Sequence, residues 1–340
     1  MLKRLAIIAA ALVVAVLTLG ASKVPSRHAA ATGGTRAAPG YASTERRNYP
    51  NGFGATVHIP ASLDRSHPAP LVVVLHGCST SADSMESATQ MDQEAEVGHF
   101  VVLYADGNGE PWRCWRFGSD IERGSGDAAA IAAMVRDAIH RKDPEIDRSR
   151  IYVTGMSSGA SMAIVMAATY PDIFAAVAIN AGCAYDGAPC GGHTPSQPTA
   201  RLAQEALAAM GPRKRVVPVL VSQGDRDTTV PGHSAQVIEQ WRQTNNAVIS
   251  GGADGPIGAR PSSTRTVRQR GRYTSTVQTY DEWPGCEVLE RWTIHGMGHY
   301  WPGGTTDKEF AGYTDPKGPT GSALMWSFLG RYRKSANPCS

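Results

Sequence analysis

The chain has 340 residues, room for one large domain or two ordinary ones, and 42% of them are apolar, enough to build a sizeable core. Its formal charge of +3 counts Lys3 and Arg4. Loss of a leader near residue 20 leaves about +1, and loss through Ala31 about −1, so the remaining domain is nearly neutral and nucleic acid is excluded as a partner.

Lys3 and Arg4 precede an uncharged apolar run over residues 5–20, the signature of a secretory signal peptide, here residues 1–21. Small residues permit cleavage after Gly20, after Ala21 or within residues 29–31. The run is also near the shortest that spans a membrane, so an uncleaved anchor is the competing reading. Residues 22–44 are mostly Ala, Gly, Ser, Thr and Pro with scattered basic residues, a composition that packs poorly and reads as a flexible linker. Residues 45–340 then form a single domain.

Within that domain, short β-branched runs alternate with segments of helical period. Strands are predicted at 55–59, 71–75 (LVVVL), 100–104 (FVVLY), 151–154 (IYVT), 175–179 (AAVAI), 216–221 (VVPVLV) and 288–294. Helices are predicted at 82–97, 127–141, 158–169, 201–210, 233–244 and 321–331. The alternation implies the α/β class, a mostly parallel central sheet with helices on both faces, whose ligand site lies beyond the carboxyl ends of the strands.

Three motifs sit where that rule puts chemistry. Gly155-Met156-Ser157-Ser158-Gly159 lies between a predicted strand and a helix rich in small residues. This is the G-x-S-x-G turn that exposes a serine as nucleophile. Asp227, in GDRDTTVP after the strand 216–221, is expected to orient the base, with Asp225 more often a turn cap. His299, in HGMGHYWP after the strand 288–294, is expected to be the general base, because Gly296-Met297-Gly298 can lead it over the serine while His295 ends the strand. The order serine, acid, histidine is that of a nucleophile elbow with its triad. Two backbone amides, of Ser158 and of Cys78 in His76-Gly77-Cys78, are expected to form the oxyanion hole. Gly124-Ser125-Gly126 lacks the residues of a phosphate loop, and Asp127 reads as a helix cap. Asp92, Glu94 and Glu96 read as a solvated helix face. No metal site and no cofactor are implied.

LVVVLHGC at 71–78, FVVLYADGN at 100–108, CWRF at 114–117, DRSRIYVTGMSSGASMA at 147–163, GDRDTTVPG at 224–232 and GMGHYWPGG at 296–304 resemble the polyhydroxybutyrate depolymerase-like esterases, which include feruloyl and acetylxylan esterases. The resemblance implies an α/β-hydrolase fold and a triad of Ser157, Asp227 and His299. It also implies a secreted, extracellular or periplasmic, serine esterase acting on polyhydroxyalkanoate-type oligoesters or on short or aromatic acyl esters. The family commonly has a Cys-Trp-Asn-Trp-Phe-like stretch where this chain has Arg113, Cys114, Trp115, Arg116 and Phe117. The two arginines leave open a hydrolase of an anionic polymer such as poly(aspartate), or equally a structural pairing with Asp120 or Glu122. A secreted binding protein without catalysis is a third reading. Trp115, Arg116, Tyr300 and Trp301 are candidate substrate contacts, with plain packing the alternative for the aromatics.

Polyester depolymerases similar to this family often carry a further polymer-binding module. Here the chain ends nine residues after the last predicted helix, which suggests a polymer, oligomer or small-molecule ester substrate that is not crystalline. No stable membrane association is expected once the signal is cut. The six cysteines, even in number, suggest three disulfides. Cys78–Cys114 would tie the oxyanion loop to the aromatic loop, Cys183–Cys190 would close a local loop, and Cys286–Cys339 would pin the C-terminal tail.

Overall fold

The computed structural model describes residues 42–109, 111–283, 285–335 and 338. The signal peptide and all but the last three residues of the expected linker lie outside these residues, as does Cys339 of the third expected disulfide.

The first described element is strand β1 (Ser43–Asn48), followed by β2 (Gly54–Ile59) and β3 (Ala69–Leu75). β1 begins inside the segment expected to be linker. Its polar sequence STERRN is held by antiparallel pairing to β2, from Ser43 opposite Ile59 to Asn48 opposite Gly54, and not by an apolar run. Next come α1 (Ala82–Thr89) and α2 (Met91–Gly98), where one helix is expected. Gln90 between them adopts φ +59°, which ends the first helix, and Thr89 Oγ1 accepts the Met91 N–H at 3.3 Å.

Strand β4 (Val101–Asp106) leads to α3 (Gly126–Arg141), β5 (Ile146–Met156), α4 (Ser158–Thr169), β6 (Ala176–Asn180), α5 (Thr199–Met210) and β7 (Val219–Gly224). α3 is preceded by Ser125 as its N-cap residue, so Asp127 is not the cap; it lies buried in the first turn. The chain continues through α6 (His233–Ser250), β8 (Ser263–Val267), β9 (Ser275–Asp281), β10 (Glu287–Ile294), the short β11 (Trp301–Pro302) and β12 (Thr314–Asp315), and α7 (Gly321–Leu329).

Ten strands form one sheet in the order β1-β2-β4-β3-β5-β6-β7-β10-β9-β8. The six from β4 to β10 run parallel, and antiparallel strands finish both edges. The core lies in two layers on opposite faces of the sheet. One is built on Leu71, Val73, Leu75, Ile131, Val153 and Trp241. The other is built on Val72, Val74, Tyr104, Tyr152, Met325 and Phe328. Alternate residues of β3 thus face opposite layers, as the two-residue period of a strand buried on both faces requires. The described residues fall in one compact unit, and none of their helices is long and apolar enough to cross a membrane.

Candidate active site

Ser157 joins β5 to α4 with φ +58° and ψ −120°, a backbone conformation that L residues rarely adopt and that surrounding structure must hold. Two glycines permit it. A Cβ at Gly159 would lie 2.2 Å from the Leu75 carbonyl oxygen, and one at Gly155 would lie 2.6 Å from the backbone of Gly159. The Ser157 N–H donates to the Asn180 carbonyl at 3.1 Å, fixing the turn against β6. α4 is buried along its whole length, which its small residues make possible.

Asp227 follows β7. Its Oδ1 accepts the Thr229 and Val230 N–H groups at 2.9 and 2.8 Å, and its Oδ2 faces His299 Nδ1 at 2.9 Å and accepts from Gln223 Nε2 at 3.3 Å. Burial pushes this carboxyl up, but the bonds from His299, Val230 and Gln223 outweigh it and hold the group below the usual carboxylate range. An ionised Asp227 keeps the imidazole proton on Nδ1 and leaves Nε2 as an acceptor.

The loop that carries His299 interlocks with the loop after β7. The Arg226 N–H donates to the Met297 carbonyl at 3.0 Å, and a Cβ at Gly224 would lie 2.1 Å from that same oxygen. Asn180 Nδ2 donates to the Tyr300 carbonyl at 2.9 Å, so one residue of β6 braces both the serine turn and the histidine loop. Asp225 and His295 form a second pair, also at 2.9 Å, with the Gly296 N–H on Asp225 and Thr276 Oγ1 on His295. That pair is exposed.

Ser157 and His299 line one cavity of about 210 Å³, together with Gly77, Cys78, Met85, Ala88, Thr89, Met156, Thr229, Trp301 and Tyr313. Cys78 is on its wall, and Ser158 opens α4, where a helix's first N–H groups have no intrahelical acceptor. The buried His76 shapes the Cys78 turn. Its Nε2 accepts the Gly107 N–H at 3.0 Å, so Nδ1 carries the proton and donates to the Gly77 carbonyl at 2.7 Å. Burial holds the imidazole below its ordinary pKa, keeping the neutral form that both bonds need. Thr80 Oγ1 donates to the same carbonyl at 2.8 Å. Because a peptide is planar and trans, the Cys78 N–H points away from these two groups.

The other candidate contacts part ways. Trp301 is on the cavity wall and buried. Tyr300 faces a neighbouring hollow with Thr305, Asp307 and Pro316. Trp115 is corrected to a core residue: it is 1% exposed, stacks 5.0 Å from the His76 ring behind the Cys78 turn, and is absent from the cavity wall. Arg116 is off the cavity wall, and its guanidinium pairs with Asp120 at 2.9 Å and Asp127 at 2.5 Å, in line with the structural alternative. Arg113 is held by Asp106 at 2.6 Å and the Thr80 carbonyl. Of the helix face expected to be solvated, Glu96 accepts the Ala61 and Ser62 N–H groups at the surface, whereas Asp92 is half-buried and accepts from Tyr104.

Sequence reasoning missed Met85, Ala88 and Thr89, whose spacing of three and four along α1 puts them on one face, a signal that was available. The bridges Cys78–Cys114 and Cys183–Cys190 are both formed. Two groups of potential metal donors occur among the described residues, Cys183-Cys190-His233 and His58-Glu86-Asp92; neither includes a residue of the cavity wall, and the first has its sulfurs bridged.

Residues 54–254 match the model of the family described as esterase PHB depolymerase. The chain belongs to that family. Within it, the chain is 30% identical over 282 residues to poly(3-hydroxyalkanoate) depolymerase C of Paucimonas lemoignei, which covers 77% of this chain and 62% of that protein. It is 39% identical over 153 residues to acetylxylan esterase A of Emericella nidulans, covering 44% and 46% respectively. The chain thus spans about half to two thirds of the length of these relatives. Among solved structures, the acetyl xylan esterase from Aspergillus awamori superposes with a TM-score of 0.64 at 21% identity, over 86% of this chain and 99% of that one. The fold is that of the α/β hydrolases.

Proposed function

We propose that this member of the esterase PHB depolymerase family is a secreted serine esterase that cleaves esters of short acyl or hydroxyacyl groups through an acyl-enzyme on Ser157. The observation that carries the reading is one constellation: a serine held at φ +58° on a strand-to-helix turn shares a cavity with a histidine whose Nδ1 is fixed by a buried carboxylate. His299 Nε2 takes the Ser157 proton as Oγ attacks the ester carbonyl, and returns it to the leaving alcohol. The Cys78 and Ser158 amides hold the developing oxyanion. Water, activated by the same histidine, then releases the acid.

The cavity favours small acyl groups. Its volume of about 210 Å³ and its Met85, Ala88, Met156 and Trp301 walls suit an acetyl or 3-hydroxybutyryl unit better than a long chain. The relatives named as an acetylxylan esterase and a polyhydroxyalkanoate depolymerase support the same class. The alternative amide hydrolase of poly(aspartate) relied on Arg113 and Arg116, both of which are engaged by carboxylates. Export is supported by the charged and apolar leader and by two disulfides, which persist in oxidising compartments.

Labelling with a fluorophosphonate followed by peptide mapping tests the mechanism. The expected result is one label, on Ser157, absent from Ser157→Ala; a folded, disulfide-bonded protein that takes no label overturns it. Turnover of p-nitrophenyl acetate, butyrate and octanoate tests the size argument, with octanoate expected to be the poorest.

A further inference from the structure

Residues 255–280 contain five arginines and no aspartate, glutamate or lysine, in a chain whose overall charge is nearly balanced. Three of the five, Arg268, Arg270 and Arg272, fall in the seven-residue connection, 268–274, that joins β8 to β9, all exposed. The topology fixes where that turn sits. β8 is antiparallel to β9, β9 is antiparallel to β10, and β10 is parallel to β7, so the carboxyl end of β8 lies at the end of the sheet from which the Ser157, Asp227 and His299 loops emerge.

The hairpin is anchored to the site. His295 donates its N–H to the Thr274 carbonyl at 2.9 Å, and the Tyr273 N–H donates to the Lys317 carbonyl at 2.7 Å. Arg272 Nη1 donates to the carbonyls of Pro316 and Gly318, and the Tyr273 ring packs over Gly296, where a Cβ would meet it at 3.3 Å. These contacts join the hairpin to the segment that delivers His299 and to the one that follows Tyr313 on the cavity wall. Exposed Arg226 and Lys317 add two further cations on the same rim, offset by Asp225 beside Arg226 and by Asp315 beside Lys317 and Tyr273, so the unopposed charge lies on Arg268 and Arg270.

Edge protection does not account for this charge. Cations on a terminal strand discourage pairing with another sheet, and Arg265 on β8, stacked 5.4 Å over the Trp292 ring, serves that purpose. Arg268 and Arg270 lie beyond the last paired position, Val267 opposite Ser275. Among the described residues neither has a carboxylate partner. Like charges two residues apart on a turn repel, and a chain of anions is the partner that relieves them.

We infer that the hairpin carrying Arg268 and Arg270, with Arg226 and Lys317, is a docking surface for a carboxylate-bearing polysaccharide, which it delivers to the Ser157 cavity. The inference deepens the esterase reading and rests on it for the choice of polymer. A guanidinium pairs with a carboxylate through two parallel N–H···O bonds, and a uronic acid chain acylated on its hydroxyls offers both the carboxylates and the ester, whereas a polyhydroxyalkanoate is neutral and an acidic polypeptide offers amides.

Binding and turnover are measured separately so that the two readings fail separately. Retardation of the Ser157→Ala protein in native gels containing unesterified polygalacturonate reads docking without catalysis. The expected result is retardation at 20 mM NaCl that disappears at 300 mM, and is lost in Arg268→Ser/Arg270→Ser in the same background. In the active protein, that double substitution is expected to leave p-nitrophenyl acetate hydrolysis unchanged. It should lower kcat/KM about tenfold on acetylated polygalacturonate at low salt, and not on a neutral acetylated glucan. Absent retardation, or equal retardation of the double variant, overturns the docking surface even if ester turnover is normal. Tighter retention by duplex DNA or by phosphatidylglycerol vesicles than by polygalacturonate overturns the polysaccharide assignment. Retardation with no ester turnover leaves the surface standing and removes the esterase.

Discussion

Asp225 and Asp227 stand two residues apart and each holds the Nδ1 of a histidine at 2.9 Å, yet their surroundings differ. The Asp227 side chain is fully buried and its histidine lines the cavity, whereas the Asp225 and His295 side chains are 39% and 43% exposed. Asp227→Asn is therefore expected to lower kcat by about 10³ to 10⁴, because the amide no longer fixes the imidazole tautomer, while Asp225→Asn stays within about twofold of wild type. Steady-state rates on p-nitrophenyl acetate decide it; comparable losses in both would transfer the role to the outer pair. The Asp227 carboxyl is held below its ordinary range, so its contribution to stability is present above that range and is lost as pH falls through the lowered value. That Asp227, and not Asp225, reaches the histidine on the cavity wall was legible because loop length past a strand limits reach. The fates of Trp115 and Arg116 were not: an aromatic or a cation beside a motif reads the same in sequence whether it turns toward the cavity or toward His76, Asp120 and Asp127.

Elements with an apolar run declared themselves, and those without one did not. β3, β4 and the buried half of β5 are mostly apolar stretches rich in β-branched and aromatic residues, while β1 (STERRN) and β8 (STRTV) are polar and exist through their edge pairing. The break at Gln90 depends on a positive φ that no glycine or proline announces. The serine turn is the opposite case, since its glycines are dictated by contact. Gly159→Ala places a methyl against the Leu75 carbonyl and is expected to destabilise the fold by about 2–4 kcal/mol, checked by urea denaturation.

Where β10 meets α7, Arg331 bonds both Glu287 at 2.9 Å and Glu290 at 3.1 Å, one cation for two acids. Burial, then the neighbouring Glu290, pushes Glu287 up to about 7. A raised carboxyl gives stability that is whole below its unfolded value of about 4.5 and is lost as pH rises through about 7. Glu287→Gln keeps the Arg331 acceptor and removes the second charge. Its melting temperature is expected to match wild type at pH 4 and to exceed it at pH 8; a constant difference across that range would rule out the coupling.

At the scale of the molecule, the site is assembled from segments far apart in sequence, and the Cys78–Cys114 bridge spans the longest loop of the two described, with a separation of 36 residues against 7 for Cys183–Cys190. It ties the turn that offers the Cys78 amide to the loop after β4, and the Ser79 N–H donates to the Trp112 carbonyl at 2.6 Å across the same junction. Loop-closure entropy assigns about 4 kcal/mol to the long bridge and about 2.5 kcal/mol to the short one. For a domain of this size that corresponds to losses in Tm of about 6 and 4 °C. The larger difference is expected in function. Cys78→Ser/Cys114→Ser frees the Cys78 amide, the proposed oxyanion donor, from its brace and should lower kcat by at least about tenfold at temperatures where the protein is still folded. Cys183→Ser/Cys190→Ser should lose Tm with kcat within about twofold, because Asp227 keeps its own bonds to Thr229 and Val230. Calorimetry and rates on the same two variants separate the roles. Equal effects on kcat would mean that the long bridge stabilises the chain without positioning the Cys78 amide, and that His76 and Thr80 suffice to aim it.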